Sequence, residues 1–203
     1  MPVIVALALS LPGVVPAAEP PGTPASQEAL ALCHRAQSAP PDERDELLRE
    51  SLERADAAVA ADDGDALAHF ARFCALGEQA RRSGASLSSL VKLWSIRDAV
   101  DRTLELAPDF PDALLGKGAL LSSVPRLLGG DPKEGERLVR RALDMEPDYV
   151  GARLFLAEAL LEDGRDAEAK KEAERALASA ERKNDPQGVA DARRLLASIA
   201  DDD

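Results

Sequence analysis

Four side chains in the N-terminal half could bind a metal or one another: Cys33, His34, His69 and Cys74. Two thiolates and two imidazoles form a zinc set only when they converge tetrahedrally. The spacing opposes convergence, because a helical period of about 100° per residue sets His69 and Cys74 about 140° apart, and adjacent Cys33 and His34 also diverge. We therefore expect no metal and no cofactor, with the cysteines buried and the histidines at the surface. Two states stay open for Cys33 and Cys74: a disulfide, which an oxidising compartment favours, or two reduced, buried thiols.

Elsewhere the chemistry is sparse. Gly129-Gly130 precedes a helical stretch, and a helix N-terminus can hold an anion. The loop lacks the Lys and Ser or Thr of phosphate-binding loops, however, and Asp131 would repel the ligand. The expectation is a turn with Asp131 as helix cap and Pro132 in the first turn. No nucleophile and base pair stands in a recognisable setting, so no enzymatic activity is expected.

These residues must be positioned by helices. The chain of 203 residues is 45% hydrophobic but only 3% aromatic, so its core is built from Ala, Leu and Val. Such a core suits helices in close contact, and alternating strand patterns are scarce, giving an all-α class. A formal charge of -12 and a pI near 4.7 argue against nucleic acid and anionic membranes as partners.

Val3 to Val15 is an apolar run of 13 residues, too short to span a bilayer but suited to the core of an export signal. Residues 1–18 are thus expected to be a signal peptide, cleaved after Ala17 or Ala18, although no Lys or Arg precedes Val3. Export would place the chain in the periplasm or outside the cell; without it the location is cytoplasmic. Residues 19–26 read as a Pro- and Gly-containing linker, 27–200 as a helical domain and 201–203 as a disordered tail.

Within that domain, Pro41 should open a helix running to Ala61, and Asp62-Asp63-Gly64-Asp65 should stop it. A third helix follows from Ala66 to Arg82 and ends at Gly84. Ser86 or Ser88 then caps a helix whose apolar face carries Leu90, Leu93, Trp94, Ile96, Val100 and Leu104. Trp94 is expected in the core; exposed, it would suggest a docking anchor. Leu104-Glu105-Leu106-Ala107-Pro108-Asp109 parallels Leu143-Asp144-Met145-Glu146-Pro147-Asp148, and the stretches opening at Asp65, Asp112 and Gly151 echo one another. Repeat starts at Ala66, Ala113 and Ala152 are 47 and 39 residues apart, against about 34 for the standard helical-hairpin repeat. The extra residues must lengthen helices or loops. Residues 185–200 form a last amphipathic helix that caps the array.

Gly118, Ala142 and Pro147 in one unit, and Ala157, Gly164, Ala169 and Ala176 in the next, resemble the small and turn-forming positions of tetratricopeptide repeats. The resemblance is clearest over 109–180 and weaker back to Arg44. It implies a tetratricopeptide-like array of antiparallel helical hairpins, about three degenerate repeats plus the capping helix. Departures occur: Leu114 and Arg153 stand where Trp is typical, Gly135 replaces an Ala and Ala173 a bulky residue. Pro125-Arg126-Leu127-Leu128-Gly129-Gly130-Asp131-Pro132, with Leu138 and Arg141-Ala142-Leu143, is similar to the T component of tripartite carboxylate (TRAP) transporters, an exported helical-repeat group whose members commonly carry a lipidated Cys that this chain lacks.

The family resemblance implies binding on the face made by the first helix of each hairpin. Carried over by position, that groove is lined by Leu115, Ala119, Ser122, Ser123, Leu154, Glu158, Leu161 and Glu162. These residues are apolar or acidic, so an apolar or basic segment of another protein is the partner they suit, unless the terminal helix or a neighbouring repeat fills the groove. The reading is a non-enzymatic scaffold, compatible with a homo-oligomer. The alternative is a transport accessory of the TRAP type that shelters a small apolar ligand, for which an enclosed pocket beneath Leu127 and Leu128, lined by Leu115 and Leu154, would be the mark.

Overall fold

The computed structural model describes residues 20–83 and 87–201. Among them lie nine α-helices, one 3-10 turn at Arg126–Leu128 and no strand: α1 Pro24–Ser38, α2 Pro41–Ala61, α3 Ala66–Ser83, α4 Leu87–Leu106, α5 Pro111–Ser123, α6 Pro132–Met145, α7 Val150–Glu162, α8 Asp166–Lys183 and α9 Pro186–Asp201. No described helix is long and apolar enough to cross a membrane. The expected signal peptide (1–18), Glu19 of the linker, the stop at Gly84, the cap at Ser86 and the tail residues Asp202 and Asp203 lie outside the described residues.

Short links pair the helices into four hairpins, α1–α2, α3–α4, α5–α6 and α7–α8, with α9 laid against α8 and α7. The α1–α2 hairpin joins the array although its sequence carries no clear repeat motif. Small side chains make this possible: Ala29 and Ala55 are fully buried, and the Ser51 hydroxyl donates to Ala29 O at 2.8 Å across the pair. The long spacing of the first repeat is taken up by helix length, 18 and 20 residues in α3 and α4 against 13 and 14 in α5 and α6.

Several boundaries have local causes. α1 begins at Pro24 inside the expected linker because Thr23 caps it, accepting from Ser26 N at 3.2 Å, with Pro24 in the first turn. Asp65 holds the next junction, accepting from Ala68 N at 3.0 Å and from the Thr23 amide and hydroxyl at 3.0 and 2.9 Å. α4 starts at Leu87, so Ser88 lies inside the helix rather than capping it, and α9 extends to Asp201.

Two larger cores and two smaller buried clusters fill the stack. Leu30, Leu67, Phe70, Val100 and Phe110 join α1 to α5, and Val139, Leu156, Leu160 and Ile199 join α6 to α9. Between them α5 and α6 meet through glycine. A Cβ on Gly118 would lie 2.8 Å from Gly135 O, and one on Gly135 would lie 2.7 Å from Gly118 O. The glycine that departs from the repeat pattern at Gly135 therefore lets two backbones nest. Arg153, standing where Trp is typical, is explained as well: it donates to Pro147 O at 2.6 Å and to Glu172 at 2.5 Å, tying the start of α7 to α8. Leu114 and Ala173 are simply buried, with 1% and 0% exposure.

Candidate docking groove

The first helices α5 and α7 and the closing helix α9 position the groove. On α5, Gly118 and Ser122 face α6, because an ideal Cβ on Gly135 would lie 2.6 Å from Ser122 Oγ. Ser122 is thus a hairpin-contact residue rather than a groove residue, and its hydroxyl donates back to Gly118 O at 3.0 Å. Ser123 is exposed at the helix end and donates to Ala119 O at 2.7 Å. Leu115 and Leu161 are only partly exposed and pack against the C-terminal core, so they wall the groove more than they line it. Ala119 is half-buried between these positions.

Farther along, α7 and α9 form an open pocket of about 440 Å³ lined by Leu154, Glu158, Asp191, Arg194, Leu195 and Ser198. The structure thus brings together two of the expected groove residues, with exposed Glu162 one turn beyond Glu158. The terminal helix does not fill the groove here; it supplies its second wall. Sequence reasoning treated α9 only as a cap and missed Asp191, Leu195 and Ser198. Their i, i+4, i+7 spacing, which places them on one helix face, was the available signal.

Acidic side chains outnumber basic ones at this pocket, Glu158 and Asp191 against Arg194. Burial, then the neighbouring charges of Glu162 and Asp191, push the Glu158 carboxyl above its ordinary pKa. Asp191 is partly compensated, accepting from Arg194 and from Gln187, each at 3.0 Å. Among the described residues neither Glu158 nor Glu162 has an ion-pair partner. Leu154 and Leu195 beside unpaired carboxylates make a place for an apolar stem carrying a cation, as in a lysine or arginine side chain.

The other constellations resolve without a ligand. Cys33 and Cys74 are joined as a disulfide between α1 and α3, with Cα atoms 6.3 Å apart. His34 is exposed, but His69 is not at the surface: it is 4% exposed, with Nε2 3.1 Å from Asp63 O, because it lies in the opening turns of α3, where residues 66–71 are all buried. The described residues contain no group of three or more metal-ligating side chains. At the Gly129-Gly130 turn the amides of residues 128–131 are engaged: Leu128 N and Gly130 N donate to Pro125 O, Gly129 N to Arg126 O and Asp131 N to Leu121 O. Asp131 caps α6 through Glu134 N at 3.1 Å, leaving no amide cradle for an anion.

Three large side chains depart from expectation. Trp94 is 70% exposed because Ile96 and Val100 define the buried face of α4, and Trp94 lies about 160° around the helix from Ile96. Leu127 is 100% and Leu128 42% exposed, so they roof no pocket above Leu115 and Leu154.

Residues 127–199 match the family model of the tetratricopeptide repeat. Among solved structures, a thermophilic tetratricopeptide-repeat protein from Thermus thermophilus is similar at 22% identity, covering 86% of this chain and 82% of that one with a TM-score of 0.65. Two structures of MamA are similar at 18% identity. One covers 78% of this chain and 80% of that chain with a TM-score of 0.55, and the other covers 79% and 76% with 0.53. A search of curated proteins finds no match.

Proposed function

We propose that this chain, whose residues 127–199 match the tetratricopeptide-repeat model and whose fold is that of a tetratricopeptide-repeat protein, acts as a non-enzymatic scaffold whose α7–α9 groove takes an apolar and basic segment of another protein. One observation carries this reading: the open pocket combines Leu154 and Leu195 with Glu158, exposed Glu162 stands one turn beyond, and neither carboxylate has an ion-pair partner among the described residues. A cation from a partner would neutralise Glu158 while its stem covers the leucines. Titration with synthetic peptides tests it. Peptides pairing Leu with Lys or Arg should bind, their acidic counterparts should not, and Glu158→Lys should abolish binding without loss of helical signal; equal binding of both peptide classes refutes the reading.

The proposal includes export. The apolar run Val3 to Val15 and the bonded pair Cys33–Cys74 both support an oxidising compartment outside the cytoplasm. Mass spectrometry of the protein from its native host should then find Ala18 or Glu19 at the N-terminus, and an intact Met1 refutes export. The solute-sheltering alternative loses its mark, since Leu127 and Leu128 face solvent instead of closing a cavity.

A further inference from the structure

The turn Arg126–Leu128 presents its side chains outward on a backbone that is fixed from several directions. Gly129 takes a left-handed φ of 87°, and a Cβ on Gly130 would lie 1.7 Å from Val124 O, so the loop folds tightly onto the end of α5. Arg97 of α4 donates to Gly129 O at 2.9 Å and to Leu128 O at 3.4 Å, clamping the turn against the neighbouring hairpin. Trp94 precedes Arg97 by three residues, so it lies on the same side of α4. The result is a rigid apolar projection of Leu127, Leu128 and Trp94 on a surface where no other large hydrophobic side chain is exposed among the described residues.

Its cations outnumber its anions although the protein carries -12 overall: exposed Arg126 opens the turn and exposed Lys133 follows it, with Asp131 between them capping α6 through Glu134 N. An apolar and basic projection is what the α7–α9 groove suits, with its leucines and unpaired carboxylates. Leu127 is fully exposed, so it meets no groove in its own chain. We propose that the Arg126–Leu128 turn of one copy docks in the α7–α9 groove of a second copy, joining chains head to tail. The inference rests on the groove reading above and names its partner. Leu127 lies against Leu154 and Leu195 of the other copy, and Arg126 neutralises Glu158 and Glu162. Because the two surfaces differ, the contact is heterologous and propagates into a ring or filament. The clamped backbone keeps the ordering cost of docking small.

Sedimentation velocity of the full chain over a range of concentrations tests this. The wild-type protein should grow in mass with concentration and shrink with added salt. Leu127→Asp and Glu158→Lys should each weaken association by at least about tenfold, roughly 1.4 kcal/mol. Both sites are exposed, so circular dichroism should show each variant folded. The mixture is decisive. Leu127→Asp keeps an intact groove and Glu158→Lys an intact turn, so together they should form one-to-one dimers that go no further. Emission from Trp94, the only tryptophan, should shift to the blue on self-association. A wild-type chain that stays monomeric at every concentration, or a mixture without dimers, overturns the proposal. If that monomer still binds basic apolar peptides through Glu158, the groove reading survives and only self-docking falls. A Trp94 shift produced in the monomer by lipid vesicles or a foreign protein would give the turn to that partner and likewise overturn self-docking.

Discussion

Replacing Gly118 by alanine adds one methyl group where α5 and α6 touch. The new carbon would sit 2.7 Å from Val139 Cγ2 and 2.8 Å from Gly135 O, while ordinary contact begins at 3.4 Å. Val139 is fully buried and the second atom belongs to a backbone, so neither can step aside. The helices must therefore part by about 0.7 Å, the difference between the two distances, loosening Leu114, Leu138 and Ala142 between them. Overpacking of this kind costs about 1–3 kcal/mol, and the better helix propensity of alanine returns about 1 kcal/mol. The net is destabilisation of up to about 2 kcal/mol, or up to roughly 8 °C in Tm for a chain of this size. Gly77, inside α3, is the control: a Cβ there meets nothing within 4 Å, so Gly77→Ala should stabilise by about 0.5–1 kcal/mol. Thermal melts followed by circular dichroism compare the two, and hydrogen exchange should place the Gly118→Ala loss in α5 and α6. If both substitutions move Tm in the same direction, the glycine-mediated contact is not what sets the spacing of this hairpin.

Reducing the Cys33–Cys74 bond, which closes a loop over a sequence separation of 41, should cost about 4 kcal/mol by the chain-entropy relation; melts with and without reductant measure it, and identical curves refute it. Asp65→Ala should cost about 0.5–2 kcal/mol as a lost helix cap. Burial raises the Asp65 pKa, but hydrogen bonds from Thr23, Ser26 and Ala68 outweigh it and leave the carboxyl below its ordinary value of 3.8. That stabilisation is therefore present above pH 3.8 and lost as pH falls through the lower folded value, so the wild-type advantage should vanish in strong acid. Glu158 has the opposite sign: its folded pKa lies above 4.5, so its ionisation weighs against the fold as pH rises through that value. Glu158→Gln should leave Tm equal or higher at neutral pH, with the difference gone below pH 4.5; a lower Tm at neutral pH refutes the assigned electrostatics.

Much of the array was legible because its helix ends are written in local chemistry. Pro41, Pro111, Pro132 and Pro186 each sit in a first turn, and Asp131 caps α6. Small residues at Gly118, Ala157 and Ala169 set the close approaches that make hairpins. The α1–α2 hairpin was harder to recognise as a unit, since packing of Ala29, Ala55 and Ser51 needs only small side chains at the right faces and leaves no repeated motif. Gly135 illustrates the same limit in reverse. As a departure from the family pattern it looked like decay, whereas its partner across the interface, Gly118, gives it a purpose that no single helix displays.

The groove was half legible for a related reason. Periodicity places Leu154 and Glu158 on one face of α7, but it cannot say what stands opposite them. That wall comes from α9, whose Asp191, Leu195 and Ser198 acquire meaning only when the helix folds beside α7. Hydrophobicity alone likewise sent Trp94 to the core, because a large apolar residue near Ile96 and Val100 looks like part of their face. An angle of about 160° from Ile96 turns it to solvent. The exposed apolar side chains and the unpaired carboxylates are thus the two places where this chain leaves burial or charge uncompensated, and each offers the chemistry the other lacks.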